Sequence, residues 1–207
     1  VSSFARFRSE LEQRTGACCH LSDEQAGLLW AHYELLVRWN QKIGLTTVIE
    51  LEEAVERHYA ESLFMASRIA GSGGRACDVG SGAGFPGYPL AVLKPDLFVT
   101  LIESNRRKCA FLREACGQLP NVRVFAGRAE EFREDCDWVV SRAVKPEDVL
   151  RLAALRSKHL ALLCGRQDAL LLANSPHLAE VRVEGLPWGR DRVLLIAKVS
   201  RGTDLRP

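Results

Sequence analysis

The sequence has no apolar run approaching the roughly 18 residues that a membrane-spanning helix requires. Its opening residues, Val1-Ser2-Ser3-Phe4-Ala5-Arg6, lack the apolar core of a signal peptide, so a cytoplasmic protein without a membrane segment is expected. None of its seven cysteines forms a Cys-x-x-Cys pair. Cys18 and Cys19 are adjacent, and Cys77, Cys109, Cys116, Cys136 and Cys164 are scattered among apolar neighbours. That pattern disfavours zinc and a disulfide framework and predicts buried thiols acting as small hydrophobes. The five histidines do not fall at metal-ligand spacing either. The net charge is only +2, so no global electrostatic argument for nucleic acid exists. Lysine is scarce: of 28 basic residues six are lysine, leaving 22 arginines. Arginine suits phosphate forks and base faces, although genome composition produces the same bias. Arg106-Arg107-Lys108, the basic residues from Arg142 to Lys145, and those from Arg190 to Arg192 could still gather on one face. There is no internal repeat and no low-complexity segment.

What is present is a chain of 207 residues, long enough for one full core. The first seventy residues read as a helical extension. Ser22 followed by Gln25 forms a capping box, and Leu28, Leu29, His32, Leu35, Leu36 and Trp39 recur at helical spacing. A second helix is predicted from about Leu51 to Ile69, with Ala54, Val55, Leu63, Ala66 and Ile69 facing inward. Gly71-Ser72-Gly73-Gly74 then interrupts the chain, which divides it into an extension over 1–70 and a second domain over 71–207.

From Arg75 onward strands and helices alternate. The predicted strands are Ala76 to Val79, Phe98 to Ile102, Val122 to Phe125, Trp138 to Ser141, Leu160 to Leu163, Ala179 to Glu184 and Val193 to Val199. Arg106 to Gln118, Pro146 to Arg156 and Gln167 to Ala173 are the clearer helices between them. This alternation implies an α/β fold with a mostly parallel sheet covered on both faces. The turn-rich link Gly185-Leu186-Pro187-Trp188-Gly189-Arg190-Asp191 makes the last two strands a hairpin. Seven strands with a terminal antiparallel hairpin is the Rossmann-like architecture of class I methyltransferases.

The richest local signal is Arg75-Ala-Cys-Asp-Val-Gly-Ser-Gly-Ala-Gly-Phe-Pro-Gly87, a strand ending in a glycine-rich bend. Gly80, Gly82 and Gly84 permit angles closed to other residues and let a ligand approach the backbone. Read from Gly82, the segment satisfies the dinucleotide fingerprint. Read from Asp78, it is Asp-x-Gly-x-Gly-x-Gly, with a carboxylate at the strand end pointing toward the crevice. That acid attracts the sulfonium and ammonium of S-adenosylmethionine and repels a diphosphate, so the methyl donor is favoured over NAD or FAD. Glu103 ends the next strand 19 residues past Gly84 and is placed to accept both ribose hydroxyls of such a ligand. A dinucleotide dehydrogenase would usually add a larger substrate domain, for which no residues remain here. A small-molecule methyltransferase and a noncatalytic RNA-binding protein with a degenerate donor fold stay open alternatives.

The sequence resembles the bacterial small-subunit ribosomal RNA guanine-N7 methyltransferases, also called glucose-inhibited division protein B, over most of its length. The resemblance is carried by Arg38-Trp39-Asn40 with Leu45-Thr46, Arg57-His58 with Ser62, and Asp78 to Gly87 with its Gly-Phe-Pro-Gly ending. It continues through Glu103-Ser104, Arg107-Lys108, Phe111-Leu112 and Ser141-Arg142-Ala143. It implies methyl transfer from S-adenosylmethionine to N7 of a guanine in small-subunit rRNA, with rRNA or the ribosomal subunit as partner and a monomeric enzyme. By position, Asp78, Gly80, Gly82, Gly84, Phe85 and Glu103 form the donor site with Ala129 and Glu130. Arg142 joins that set and faces the transfer site. N7 carries no proton, so no general base is needed and His58 is read as a packing or hydrogen-bonding residue. Three positions depart from the family pattern. Gly44 stands for the usual asparagine, Glu61 for aspartate, and Cys164 for a lysine whose charge Arg166 could replace.

Overall fold

The computed structural model describes residues 3–71, 73–189 and 191–200; Ser72 of the glycine-rich break and Arg190 of the predicted basic group lie outside them. Two helices open the chain, α1 (Ser3–Thr15) and α2 (Asp23–Ile43). The Ser22 hydroxyl accepts the Gln25 amide and the Gln25 side chain accepts the Ser22 amide, completing the expected capping box. The next helix is not uniform. It runs as α3 (Leu51–Ala54), a π-helical segment (Val55–Ala60) and α4 (Glu61–Arg68). The wider π turn carries Arg57 and His58, and such insertions recur at functional sites.

Seven strands follow: β1 (Arg75–Val79), β2 (Phe98–Glu103), β3 (Val122–Ala126), β4 (Trp138–Arg142), β5 (His159–Gly165), β6 (Leu178–Gly185) and β7 (Arg192–Val199). Between them run α5 (Gly87–Leu93), α6 (Arg106–Ala115), α7 (Pro146–Arg156) and α8 (Arg166–Ala173). The predicted end of α6 at Gln118 is a 3-10 turn, Cys116–Gln118, because the last turn tightens before Leu119. The sheet order is β3-β2-β1-β4-β5-β7-β6, parallel except at β7. This is the class I methyltransferase arrangement with its terminal hairpin.

The strand side chains divide between two cores. Val99, Leu101, Val140, Ala161, Leu163, Leu194 and Ile196 pack on one face against α1, α2, α4, α5 and α6. Val79, Ile102, Val139, Leu160, Leu162, Val193 and Leu195 pack on the other, with Val149, Leu152, Ala153, Ala169 and Leu172 of α7 and α8. Successive residues such as Val139 and Val140 therefore serve opposite cores, as a doubly covered sheet demands. Phe7, Leu29, Tyr59 and Met65 are fully buried in the first core, so the amino-terminal helices share the sheet's own interior. The order reverses at β1, whose neighbours β2 and β4 connect in opposite directions. That is where an open α/β sheet leaves its crevice, beyond the carboxyl ends of the strands.

Candidate active site

The loop after β1 is held by its own amides. Gly80, Gly82 and Gly84 adopt φ of 70°, 56° and 90°, the left-handed region that L side chains rarely enter. Gly80 and Ser81 both donate to the Ile102 carbonyl, at 2.9 and 3.1 Å, and Gly82 donates to Glu103 Oε2 at 3.0 Å. Gly84 and Phe85 donate to the Ser81 carbonyl, at 2.7 and 3.1 Å, and Gly87 donates to Asp78 Oδ2 at 3.0 Å. A pyrophosphate needs free N–H groups at such a bend, and these six are spent internally. Among the two cofactor classes left open by the glycines, the accounting disfavours the dinucleotide.

Beside the loop lies a cavity of about 560 Å³, within the usual range for small-molecule sites. Gly80, Ile102 and Glu103 form one wall, Ala129 and Glu130 another, and Val144, Arg151 and Leu152 a third. Glu103 is 8% exposed, with one oxygen on Gly82 and the other 2.7 Å from the Asn105 amide. Each carboxylate oxygen keeps a second lone pair for a ligand hydroxyl. Ala129 and Glu130 belong to a single 3-10 turn, Ala129–Glu131, set after β3 by the Arg128 and Gly127 positions. The volume and the apolar slot fit an adenosine-sized ligand, and the polar lining is mixed: three carboxylates, of Glu103, Glu130 and Asp148, and four guanidiniums, of Arg128, Arg133, Arg151 and Arg156.

Asp78 corrects the reading of the strand end. Its side chain is fully buried and does not open onto the crevice. Oδ2 holds the Gly87 amide, while Oδ1 has no partner among the described groups. Burial pushes the carboxyl up to about 7, against the Gly87 hydrogen bond and the Arg142 charge. Gly87 is required here because a Cβ would come within 2.7 Å of Asp78 Oδ2 and 2.4 Å of Leu101 Cδ2. Asp78 therefore braces the loop from beneath.

Phe85 and Arg142 also lie away from that cavity. Phe85 is 3% exposed and packs into the amino-terminal layer, with its ring edge to face with His32 and Tyr59. His58 stacks on Phe85, and the Arg142 guanidinium lies over the same ring at 5.3 Å. Arg142 donates to His58 Nδ1 at 2.9 Å and to the Arg57 carbonyl. That donation fixes the proton of neutral His58 on Nε2, which faces Thr46 Oγ1 at 3.1 Å and the Val48 carbonyl at 3.2 Å. Burial and the Arg142 charge lower His58 to about 3. Thr46 is in turn tied to Asn40, whose side chain accepts the Thr46 amide at 2.8 Å.

Behind this group sits Glu61, 2% exposed, whose carboxylate receives a two-pronged bond from Arg192 at 2.8 and 2.7 Å. Arg142 approaches the same carboxylate at 3.8 Å. Arg192 is thus committed to an internal ion pair and is not a free member of the predicted basic group. Gly84 sits inside the layer too, where a Cβ would meet His32 Nε2 at 3.1 Å. Sequence reasoning missed His32, Tyr59 and the Glu61 to Arg192 pair, because no local spacing announces a contact across 131 residues. Gly44 has φ 60° and ψ 63° at the end of α2, a conformation that glycine and asparagine share, which accounts for that departure from the family. Cys164 is buried and Arg166 exposed.

Over residues 25–167 the chain matches the family described as rRNA small subunit methyltransferase G. It is 40% identical over 156 residues to ribosomal RNA small subunit methyltransferase G of Nitrosomonas europaea, covering 73% of this chain and 67% of that one. To the protein of that name in Chromobacterium violaceum it is 42% identical over 127 residues, covering 59% and 60%. The chain thus spans about three fifths to two thirds of the length of these relatives. Among solved structures, M. jannaschii TYW2 in complex with AdoMet superposes with a TM-score of 0.56 at 17% identity, covering 75% of this chain and 80% of that one. A SAM-dependent methyltransferase from Aquifex aeolicus gives 0.51 at 17%, covering 63% and 85%. The last two likenesses show the fold. The length and identity of the sequence matches show more: the chain belongs to the rRNA small subunit methyltransferase G family.

Proposed function

We propose that this protein methylates N7 of a guanine in small-subunit ribosomal RNA, with S-adenosylmethionine as donor. One observation carries the reading: an adenosine-sized cavity with Glu103 and Glu130 on its walls adjoins a glycine loop in which the amides of Gly80, Ser81, Gly82, Gly84, Phe85 and Gly87 are already bonded within the protein. When bound, the donor supplies an electrophilic methyl group. Glu103 accepts the ribose hydroxyls, and the Ala129–Glu131 turn meets the adenine. Gly80 gives close approach, with Val144 closing over it. Gly82 and Gly84 shape the loop, and Asp78 holds it from below.

Guanine N7 has an available lone pair, so the protein need only align it with the methyl group and exclude water. Arg142 does the positioning from the end of β4, held by His58 and the Arg57 carbonyl. His58 is buried and neutral with both ring nitrogens engaged, which suits a structural post and not proton transfer. The exposed cations Arg106 and Arg107 at the start of α6 and Lys145 before α7 hold flanking phosphates, and the target base is unpaired or displaced from its stack. We place the enzyme in the cytoplasm with its ribosomal substrate, as a monomer, with residues 1–70 as an extension bracing the 71–207 methyltransferase domain. Among the described residues no helix is long and apolar enough to cross a membrane.

The test is incubation with radiolabelled methyl donor and naked rRNA, small subunits or whole ribosomes. Label on small-subunit rRNA, mapped to guanine N7, is the expected result. Donor binding with label on none of them points instead to a small-molecule acceptor, and absence of donor binding overturns the cofactor as well.

A further inference from the structure

Strand β4 alternates strictly between the two cores, with Trp138 and Val140 in the first and Val139 in the second. Ser141 anchors its tip through a buried hydroxyl that donates to the Val79 carbonyl of β1 at 2.7 Å. Arg142 then falls on the first side, where its guanidinium lies over Phe85 and bonds to His58. In an extended chain residues i and i+2 share a face, so Val144 is expected to follow Arg142 to that side. It does the opposite. Val144 packs against the second core and lines the cavity beside the glycine loop, so near Gly80 that a Cβ there would meet its Cγ2 at 2.4 Å.

The reversal is made by Ala143, whose φ is 59°. Among the described residues Glu180 is the one other non-glycine with positive φ, and it sits in the bulge where β6 shifts register between Ala179 and Arg182. Ala143 follows a strand whose register with β1 and β5 is regular, so no bulge accounts for it. Its side chain is exposed and gains no burial that would offset a conformation costly to any residue with a Cβ. Such a backbone persists where the surroundings over-determine it. Here they do. Arg142 is tied to His58 and the Arg57 carbonyl, Val144 is wedged between Gly80 and the second core, and the Lys145 carbonyl already accepts the Asp148 and Val149 amides of α7 at 3.1 and 3.3 Å.

Taking that cavity as the donor site, as proposed above, we infer that Ala143 is a positioning residue for methyl transfer. Its left-handed backbone is the pivot that sends Arg142 toward the acceptor and Val144 toward the donor, and so fixes the two halves of the reaction relative to each other. A residue that returns this position to negative φ must displace Arg142 or Val144. The requirement is for backbone angles and not for a side chain. Asparagine and glycine enter the left-handed region readily, and β-branched residues do not.

The experiment compares Ala143→Asn with Ala143→Val in the full chain, two side chains of similar bulk and opposite tolerance of positive φ. Single-turnover methylation of the rRNA substrate at saturating donor, donor affinity by calorimetry and melting temperature are measured for each. Ala143→Asn should stay within about twofold of the parent in rate and in affinity. Ala143→Val should lose roughly tenfold or more in rate and about threefold or more in donor affinity while still folded. A valine variant that melts earlier but turns over at the parental rate has lost stability alone, which overturns the pivot. Equal losses in both variants overturn it too, because bulk and not backbone would then be the cause. A parent that binds no donor, or that labels no rRNA, sinks the functional reading and the pivot with it, whereas an active parent with an unimpaired valine variant sinks the pivot alone. Should Ala143→Val not fold, Ala143→Thr, β-branched and polar, takes its place.

Discussion

The His58 imidazole lies face to face with the Phe85 ring, 4.6 Å between centroids and 20° between planes. One residue comes from the π-helical segment of the amino-terminal layer and the other from the glycine loop after β1. Through this stack the helical layer holds the bend that shapes the candidate donor site. Arg142 closes the arrangement from the end of β4, bonded to His58 on one side and near buried Glu61 on the other.

Arg142→Lys separates charge from geometry. Lysine keeps a cation near Glu61 but cannot serve the His58 nitrogen and the Arg57 carbonyl together. Because Arg142 does not line the donor cavity, donor affinity should stay within about threefold while turnover on rRNA falls roughly tenfold or more. Calorimetric titration with the donor and single-turnover methylation check the two halves. Equal loss of both would show that Arg142 touches the donor.

Glu103→Gln tests the floor of the cavity. Each carboxylate oxygen now accepts one amide, from Gly82 or from Asn105. Glutamine offers one oxygen, so its NH₂ must face a second N–H donor, at a cost of about 1–3 kcal/mol. Urea unfolding should register that loss, and donor affinity should drop roughly tenfold.

The pH dependence of stability carries opposed contributions, from the buried histidines His32 and His58 on one side and from Asp78 on the other. His58 is lowered to about 3 from 6.5, so its contribution is complete above 6.5 and fades as pH falls toward 3. Asp78 is raised to about 7 from 3.8, so its contribution is complete below 3.8 and fades as pH rises toward 7. Between pH 4 and 6.5, stability of the His58→Gln variant should therefore rise less steeply than that of the parent, by about 1.4 kcal/mol per pH unit. Asp78→Asn should rise more steeply by a similar amount. Denaturant melts at half-unit intervals of pH measure both slopes, and unchanged slopes would mean that neither group titrates as its burial demands.

Gly44 supplies a stability test without chemistry. Its left-handed conformation should make Gly44→Ala cost about 1–2 kcal/mol, whereas Gly44→Asn should cost only a fraction of that. Thermal melting of the two variants distinguishes a backbone requirement from a side-chain contact, since a Cβ at this position meets nothing within 4 Å.

Much of this protein was determined by sequence alone, because the deciding physics is local. Alternating apolar strands and amphipathic helices specify a doubly covered sheet. Glycines at 80, 82 and 84 specify a bend of positive φ, and the turn-rich link before Arg192 specifies a hairpin. Glu103 could be foreseen near the cavity because it ends a strand, where the topology places ligands, whereas Ala129 and Glu130 were implied by the family resemblance. The direction of a side chain was not legible in the same way. Asp78 ends its strand as expected, yet its carboxylate turns beneath the loop to satisfy the Gly87 amide, since a buried N–H must find an acceptor. Phe85 and Arg142 face the helical layer and not the slot. Only the folded chain brings Asn40, Thr46, His58 and Arg142 into one bonded series, and pairs Glu61 with Arg192. Those contacts join residues far apart in the chain, and their partners are chosen by which buried polar groups meet once the two cores have closed.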